Sequence, residues 1–272
     1  MSIMTIAREL GAISKAGEQA LCRDLGLRCV DRTVLEEHFL ERGADRKLMG
    51  RFDERKPNFF DRLQNAVDVY ALTLKLAVLT EAERGNAALI GRGGNFLLHG
   101  LIGCLRLRFT APLELRVKRV MEEQNCTADA AAKAIAASDQ GRIGFCRHHY
   151  GKDWRDPAMY DLVINTEKTG METVTELLRS WTAAAEWRPG DPGKLRDELT
   201  AQRVRCVLFD AENLPIQFPA VSCADGWVTV YGGVSSDAAA GRVLKVISEA
   251  EGVKGVTDML DRIQPEIPRR FE

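Results

Sequence analysis

Short apolar runs alternate with amphipathic stretches along the first 185 residues, and this pattern predicts strands separated by helices. Residues 3–7 read as a short buried strand. Residues 15–25 read as a helix with apolar Ala16, Ala20, Leu21 and Leu25, capped by Gly26. Residues 27–30 form a brief strand, and Asp31 starts a helix that runs to about residue 42. A long amphipathic helix over 60–83 carries Leu63, Val67, Tyr70, Leu74 and Val78 on one side. Strands at 87–90 and 105–110 follow. Pro112 suits the first turn of a helix over 113–124, and Thr127 is the expected N-cap of a helix over 128–142. A strand at 162–164 and a helix over 171–185 complete the pattern, which is that of a parallel α/β sheet flanked by helices.

The stretch 187–193 carries two prolines and two glycines and reads as a linker. Beyond it the pattern changes to helix (194–202), strands (204–209 and 227–231), helix (237–251) and strand (256–263). The organisation expected is a first domain over 1–186, a linker over 187–195, and a small α+β domain over 196–272.

Composition narrows the field only in places. A net charge of −1 gives no overall field for nucleic acid or anionic membrane, so local clusters must carry any anion binding. No stretch approaches the roughly 20 apolar residues of a membrane span. The opening residues lack the basic-then-apolar layout of a secretory signal. Seven cysteines without a CxxC pair argue against a disulfide framework or zinc site, and reduced thiols fit a cytoplasmic protein. No metal ligand set is expected, because the adjacent His148 and His149 suit no helical metal pair, and a metal-dependent hydrolase lacks its carboxylate–histidine cluster.

Two strand ends carry the chemistry. In open α/β sheets ligands sit at the carboxyl ends of strands. The strand at 87–90 ends in Gly91-Arg92-Gly93-Gly94, and the one at 162–164 in Asn165-Thr166, with an Arg- and His-rich segment over 142–149 between them. That combination suggests a site for phosphorylated compounds. The first strand leads through Arg8-Glu9-Leu10-Gly11-Ala12-Ile13-Ser14-Lys15 into the first helix, where free N–H groups can face an anion. Ile13 is poorly suited to a positive φ, and an ordinary strand–helix connection with a solvated lysine stays open as the alternative.

With these residues in view, residues 1–185 resemble the cytidylate kinase-like family, P-loop relatives of the nucleoside-monophosphate kinases. The resemblance rests on Arg8-Glu9-Leu10-Gly11, Leu25-Gly26 and Asp31 at ungapped spacing, and on Gly91-Arg92-Gly93. It continues through Ala111-Pro112-Leu113-Glu114-Leu115-Arg116-Val117-Lys118-Arg119, Tyr150-Gly151-Lys152-Asp153-Trp154 and Tyr160-Asp161-Leu162-Val163-Ile164-Asn165-Thr166. The family's Ser-Gly-Gly falls on Ala12-Ile13-Ser14, so two loop glycines are absent. The Asp that follows the family's strand-end arginine is Gly93 here.

The resemblance implies a P-loop NTPase-like sheet and phosphoryl transfer from ATP, with Mg²⁺, to a nucleoside monophosphate such as CMP. The backbone of Gly11, Ala12, Ile13, Ser14 and Lys15 would cradle the donor phosphates. Lys15, Arg142 and Arg147 would act on the transferring group, the two arginines from a lid-like segment. Arg92 would fork onto the acceptor phosphate, with Asp31 and Asp161 completing the acceptor set. Asp161 and Asn165 have an alternative role in organising the lid hinge and strand end. The degraded loop leaves a second reading, a nucleotide-sensing protein that keeps the fold without catalysis.

Residues 196–264 resemble a BON domain, carried by Asp225-Gly226-Trp227-Val228-Thr229-Val230-Tyr231-Gly232-Gly233 and by Glu251-Gly252-Val253-Lys254-Gly255-Val256. That implies binding without chemistry, here a regulatory or homo-oligomer contact rather than a lipid or nucleic-acid one.

Overall fold

The computed structural model describes residues 3–43, 66–101, 103–183, 191–211 and 214–263. The start of the expected long helix (60–65, with Leu63) and residues 187–190 of the expected linker lie outside the described residues, whereas 192–195, expected as linker, are the first residues of a helix. The chain divides into two compact units, 1–191 and 192–272.

The first unit holds five parallel strands. They are β1 (Ile3–Arg8), β2 (Arg28–Val30), β3 (Ala87–Ile90), β4 (Cys104–Thr110) and β5 (Leu162–Asn165), in the order β2-β3-β1-β4-β5. Ile3, Met4, Thr5 and Ile6 are all buried, as a central strand covered on both faces requires. Ile6 pairs with Ile90 on one side and Leu107 on the other. The core gathers Met4, Ile6, Ala88, Ile90, Leu105, Leu107 and Phe109 from the strands. Against them pack Leu21 of α1 (Lys15–Asp24) and Val174 and Leu178 of α7 (Met171–Ala183). Burial of each large side chain contributes roughly 1.5–3 kcal/mol. Because every strand is parallel, Arg8, Ile90, Thr110 and Asn165 end at one edge of the sheet, and that edge carries the site.

Caps fix the helices that face this edge. Ser14 accepts from the Gly17 N–H at 3.1 Å at the start of α1. Asp31 does so for α2 (Arg32–Glu41), accepting from Thr33 at 2.8 Å and Val34 at 3.3 Å. The helix α3 (Ala66–Arg84) buries Tyr70, Leu74 and Val78, and also Glu81. Burial would push the Glu81 carboxyl up, but hydrogen bonds from Arg28 (2.6 Å) and His38 (2.8 Å), with Arg84 nearby, outweigh it and hold it ionised. A four-residue helix, α4 (Gly94–Leu97), follows β3, and α5 (Leu113–Gln124) follows β4.

One element departs from the pattern reading. The helix α6 is continuous from Ala128 to Tyr150 (Ala128–Tyr150), ending at Gly151 with φ +64°. The Arg- and His-rich segment is therefore the last third of that helix, which the pattern reading ended at residue 142. Its buried Ile143, Phe145 and Cys146 were masked in the sequence by the surrounding charge.

The second unit is α8 (Pro192–Asp210), β6 (Gln217–Ala224), β7 (Trp227–Val234), α9 (Asp237–Ser248) and β8 (Gly255–Arg262). The sheet order is β6-β7-β8, antiparallel then parallel. Val221, Val228, Val230 and Leu260 meet Ala201, Val204, Val243 and Ile247 of the helices in its core. The strand expected at 204–209 is corrected to helix. Val204, Cys206 and Leu208 alternate like a strand, yet no Gly or Pro interrupts 194–210, and Leu195, Leu199 and Cys206 bury one helical face. β6 escaped notice because it contains Pro219, beside a bulge and Phe218 at φ +50°.

Candidate functional site

The loop after β1 is shaped by side chains from elsewhere. Gly11 sits at φ +82°, and a Cβ there would stand 2.7 Å from the Arg116 carbonyl oxygen, so only glycine fits. Arg116 donates to the Leu10 carbonyl at 2.8 Å, and Arg119 to the Ala12 carbonyl at 2.9 Å. Glu9 accepts from Arg108 (2.8 Å) and Thr110 (2.6 Å), tying the loop to β4. The Ala12 and Ile13 side chains are packed into the core, Ile13 at a position where the family has glycine. With the carbonyls turned toward α5, the N–H groups of Gly11, Ile13 and Ser14 have no acceptor among the described residues. The Lys15 N–H meets only the Glu123 carboxylate, at 3.5 Å. Donors grouped at a helix N-terminus suit an anion.

The turn after β3 is built differently. Gly91, Arg92 and Gly93 take φ +74°, +53° and +70° in succession. Left-handed backbone costs about 1–2 kcal/mol for a residue with a Cβ, so Arg92 holds a strained position. A Cβ on Gly93 would overlap the Tyr150 ring, and the Tyr150 hydroxyl donates to the Arg92 carbonyl at 2.9 Å. Where the family has a carboxylate, this chain has an aromatic ring. Arg92 is 8% exposed and reaches the Tyr70 hydroxyl at 3.4 Å. Phe39, Tyr70, Phe145 and His149 form one aromatic cluster that meets Arg92 through Tyr70, and burial lowers His149 to about 4.

Two cavities flank the loop. One, of about 670 Å³, is lined by Gly11, Ala12, Ile13 and Ser14, by Arg119 and Glu123 of α5, and by residues 166–171. The other, of about 330 Å³, is lined by Arg8, Gly11, Ile13, Lys15, Asp31, Arg92 and Arg142, with Glu9, Glu18 and Glu123. It brings together Lys15, Asp31, Arg92 and Arg142 from four separate elements. Glu18 is paired with Arg8, and burial still raises its carboxyl.

Two expected residues lie elsewhere, and both placements are corrections. Arg147 is an exposed residue on α6 facing Asp153 at 3.5 Å, away from either cavity. Asp161 stands at the amino end of β5, the far edge of the sheet, where it accepts from Arg106 at 2.7 Å. Burial would raise the Asp161 carboxyl, but the Arg106 hydrogen bonds outweigh that and keep it ionised. Its run resembles the family because it starts a strand. The residues missed were Arg8, Arg119 and Glu123. Arg8 and Arg119 stand inside the quoted motifs, and Arg116 and Arg119 share one helical face at a spacing of three. That spacing was the available signal. Among the described residues no group of three or more His, Cys, Asp or Glu could hold a metal unaided. No described helix is long and apolar enough to cross a membrane.

The sequence model of the Cytidylate kinase-like family matches residues 3–168. The cytidylate kinase of Methanocaldococcus jannaschii is 33% identical over 101 residues, 36% of this chain and 57% of that one. The cytidylate kinase of Ignicoccus hospitalis is 25% identical over 180 residues, 66% of this chain and 98% of that one. A uronate isomerase of Corynebacterium glutamicum is 32% identical over 100 residues, 37% of this chain and 19% of that one. The chain thus spans a fifth to little more than half of the first relatives it matches. A solved structure of an uncharacterized protein from Eubacterium ventriosum has a TM-score of 0.52 and 17% identity, over 66% of this chain and 98% of that one. That likeness is one of fold.

Proposed function

Because the chain belongs to the cytidylate kinase-like family, we propose that its first unit transfers a phosphoryl group from ATP to a nucleoside monophosphate of the CMP type. The observation that carries this reading is Arg92, buried in a strained turn yet lining a cavity shared with Arg8, Lys15 and Arg142. Strain at a cationic strand end is maintained where it positions a group for function.

The residues fit the donor. The loop N–H groups would take its phosphates, and the 670 Å³ cavity beside Arg119 and residues 167–170 has room for its nucleoside. Asp31 and Glu123 offer oxygen ligands of the kind Mg²⁺ prefers, alongside phosphates and waters. Bound there, Mg²⁺ would neutralise charge on the phosphates. Arg92 would fork onto the acceptor phosphate, Arg142 would meet charge developing on the group in transfer, and Lys15 would hold the donor side.

The second reading is a nucleotide sensor without turnover, and the packed Ala12 and Ile13 favour it. The BON-like second unit would then regulate, in a cytoplasmic protein, through a partner or a second copy. An ADP-release assay over a panel of nucleoside monophosphates separates the two. Turnover with at least one acceptor supports transfer. Measurable ATP binding with no turnover on any acceptor selects the sensor.

A further inference from the structure

Beside Arg92 lies a small cavity of about 30 Å³ to which nothing above gives a role. It has room for one or two water-sized atoms. Its polar lining is Arg8, Arg92, Arg142, Asn95, Trp154 and Tyr160, and no Asp or Glu stands among the described residues that line it. Two of these side chains are buried donors short of an acceptor. Asn95 is 6% exposed and Trp154 3%, yet Trp154 Nε1 has no hydrogen-bond partner, and Asn95 Nδ2 has none of good geometry, with only the Tyr160 hydroxyl near enough to feel it. The Tyr160 hydroxyl gives its own hydrogen to the Trp154 carbonyl at 2.6 Å. The indole is fixed in place, with the guanidiniums of Arg108 and Arg142 over the ring at 5.0 and 5.5 Å.

Buried donors are nearly always satisfied, so two in one cavity mark a place for an acceptor. A water would bring two hydrogens into a lining made mostly of donors. An anion brings acceptors alone, and three arginines are among the residues that line the cavity. We propose that this cavity binds a compact anion, either a halide-sized ion or the carboxylate end of a small molecule seated in the neighbouring cavity. That neighbour shares Arg8, Arg92 and Arg142 with it. The site does not depend on phosphoryl transfer, so it stands or falls separately from the kinase reading.

Chloride binding to the full chain, followed by the linewidth of the ³⁵Cl resonance, tests it. Trp154→Phe keeps a ring for the guanidiniums but removes the donor, and Asn95→Ala removes the other. Each variant, checked for an unchanged thermal midpoint, is expected to bind chloride about tenfold more weakly. If Trp154→Phe does not fold, Asn95→Ala alone decides. Displacement of chloride by formate assigns the site to carboxylates. Chloride that resists formate assigns it to halides, and either result supports the proposal. No excess broadening in the wild type, or equal broadening in wild type and variants (an adventitious ion only), overturns it.

Discussion

The loop after β1 and the turn after β3 are neighbours at one edge of the sheet, yet they are held in opposite ways. In the loop, one glycine survives, and the shape comes from Arg116, Arg119 and Glu9 gripping its backbone or the strand beside it. In the turn, three successive left-handed residues set the shape, and Tyr150 closes over them. A loop clamped by side chains tolerates changes in its own sequence, which is why Ile13 and Ser14 can stand where the family has glycine. A turn fixed by its backbone tolerates almost none. Its glycines are present, and Arg92 is aimed by geometry that its neighbours cannot relax.

The largest effect is expected at the turn. Gly93→Ala combines a positive φ with overlap of the Tyr150 ring and should cost about 3 kcal/mol or more in urea unfolding. A loss under about 1 kcal/mol would mean that the backbone does not dictate this turn. Next, Arg92→Ala should lower kcat/KM for phosphoryl transfer by about 100-fold with unchanged stability, and Arg92→Lys should recover only part of it. Equal activity in all three would remove Arg92 from the acceptor site.

Gly11→Ala tests the loop side. Contact with the Arg116 carbonyl should cost about 2 kcal/mol, less than at Gly93 because α5 can give way. If it costs more, the loop is the stiffer of the two. A pH series probes the aromatic cluster over the turn. Burial, with His148 beside it, lowers His149 from 6.5 to about 4, so folding favours the neutral ring. Its contribution is full above about pH 6.5 and is lost as the pH falls through 4. The urea midpoint should drop over that window, and His149→Phe should flatten the drop. The smallest effect belongs to Arg147→Ala, which should change kcat/KM less than about twofold, as expected of an exposed pair with Asp153. A tenfold loss would return Arg147 to the site.

The sheet was legible in the sequence because its strands are apolar runs bounded by turn residues, as at 87–94. The clustering of Lys15, Asp31, Arg92 and Arg142 followed from strand ends that parallel order brings to one edge. What stayed hidden were ties made at a distance. The spacing of Arg116 and Arg119 puts them on one helical face, but only the fold shows that Arg119 holds a loop 107 residues away. Tyr150 lies beyond the helix expected at 128–142, and only the fold shows it ending that helix and covering Gly93. Asp161 misled because its motif marks a strand start, whereas ligands in such sheets meet the other end. In the second unit, alternation at 204–208 competed with an unbroken helical stretch, and burial settled for the helix.

The unbroken course of α6 changes how motion can reach the site. At 1.5 Å per residue this rod is about 35 Å long. It meets Arg116 through Asp139 near its middle, lines the 330 Å³ cavity with Arg142, and touches the β3 turn with Tyr150. Because the helix is unbroken through these three positions, a tilt of the whole helix would move all three together. Loop grip, cavity width and the Arg92 carbonyl are thereby geared to a single lever.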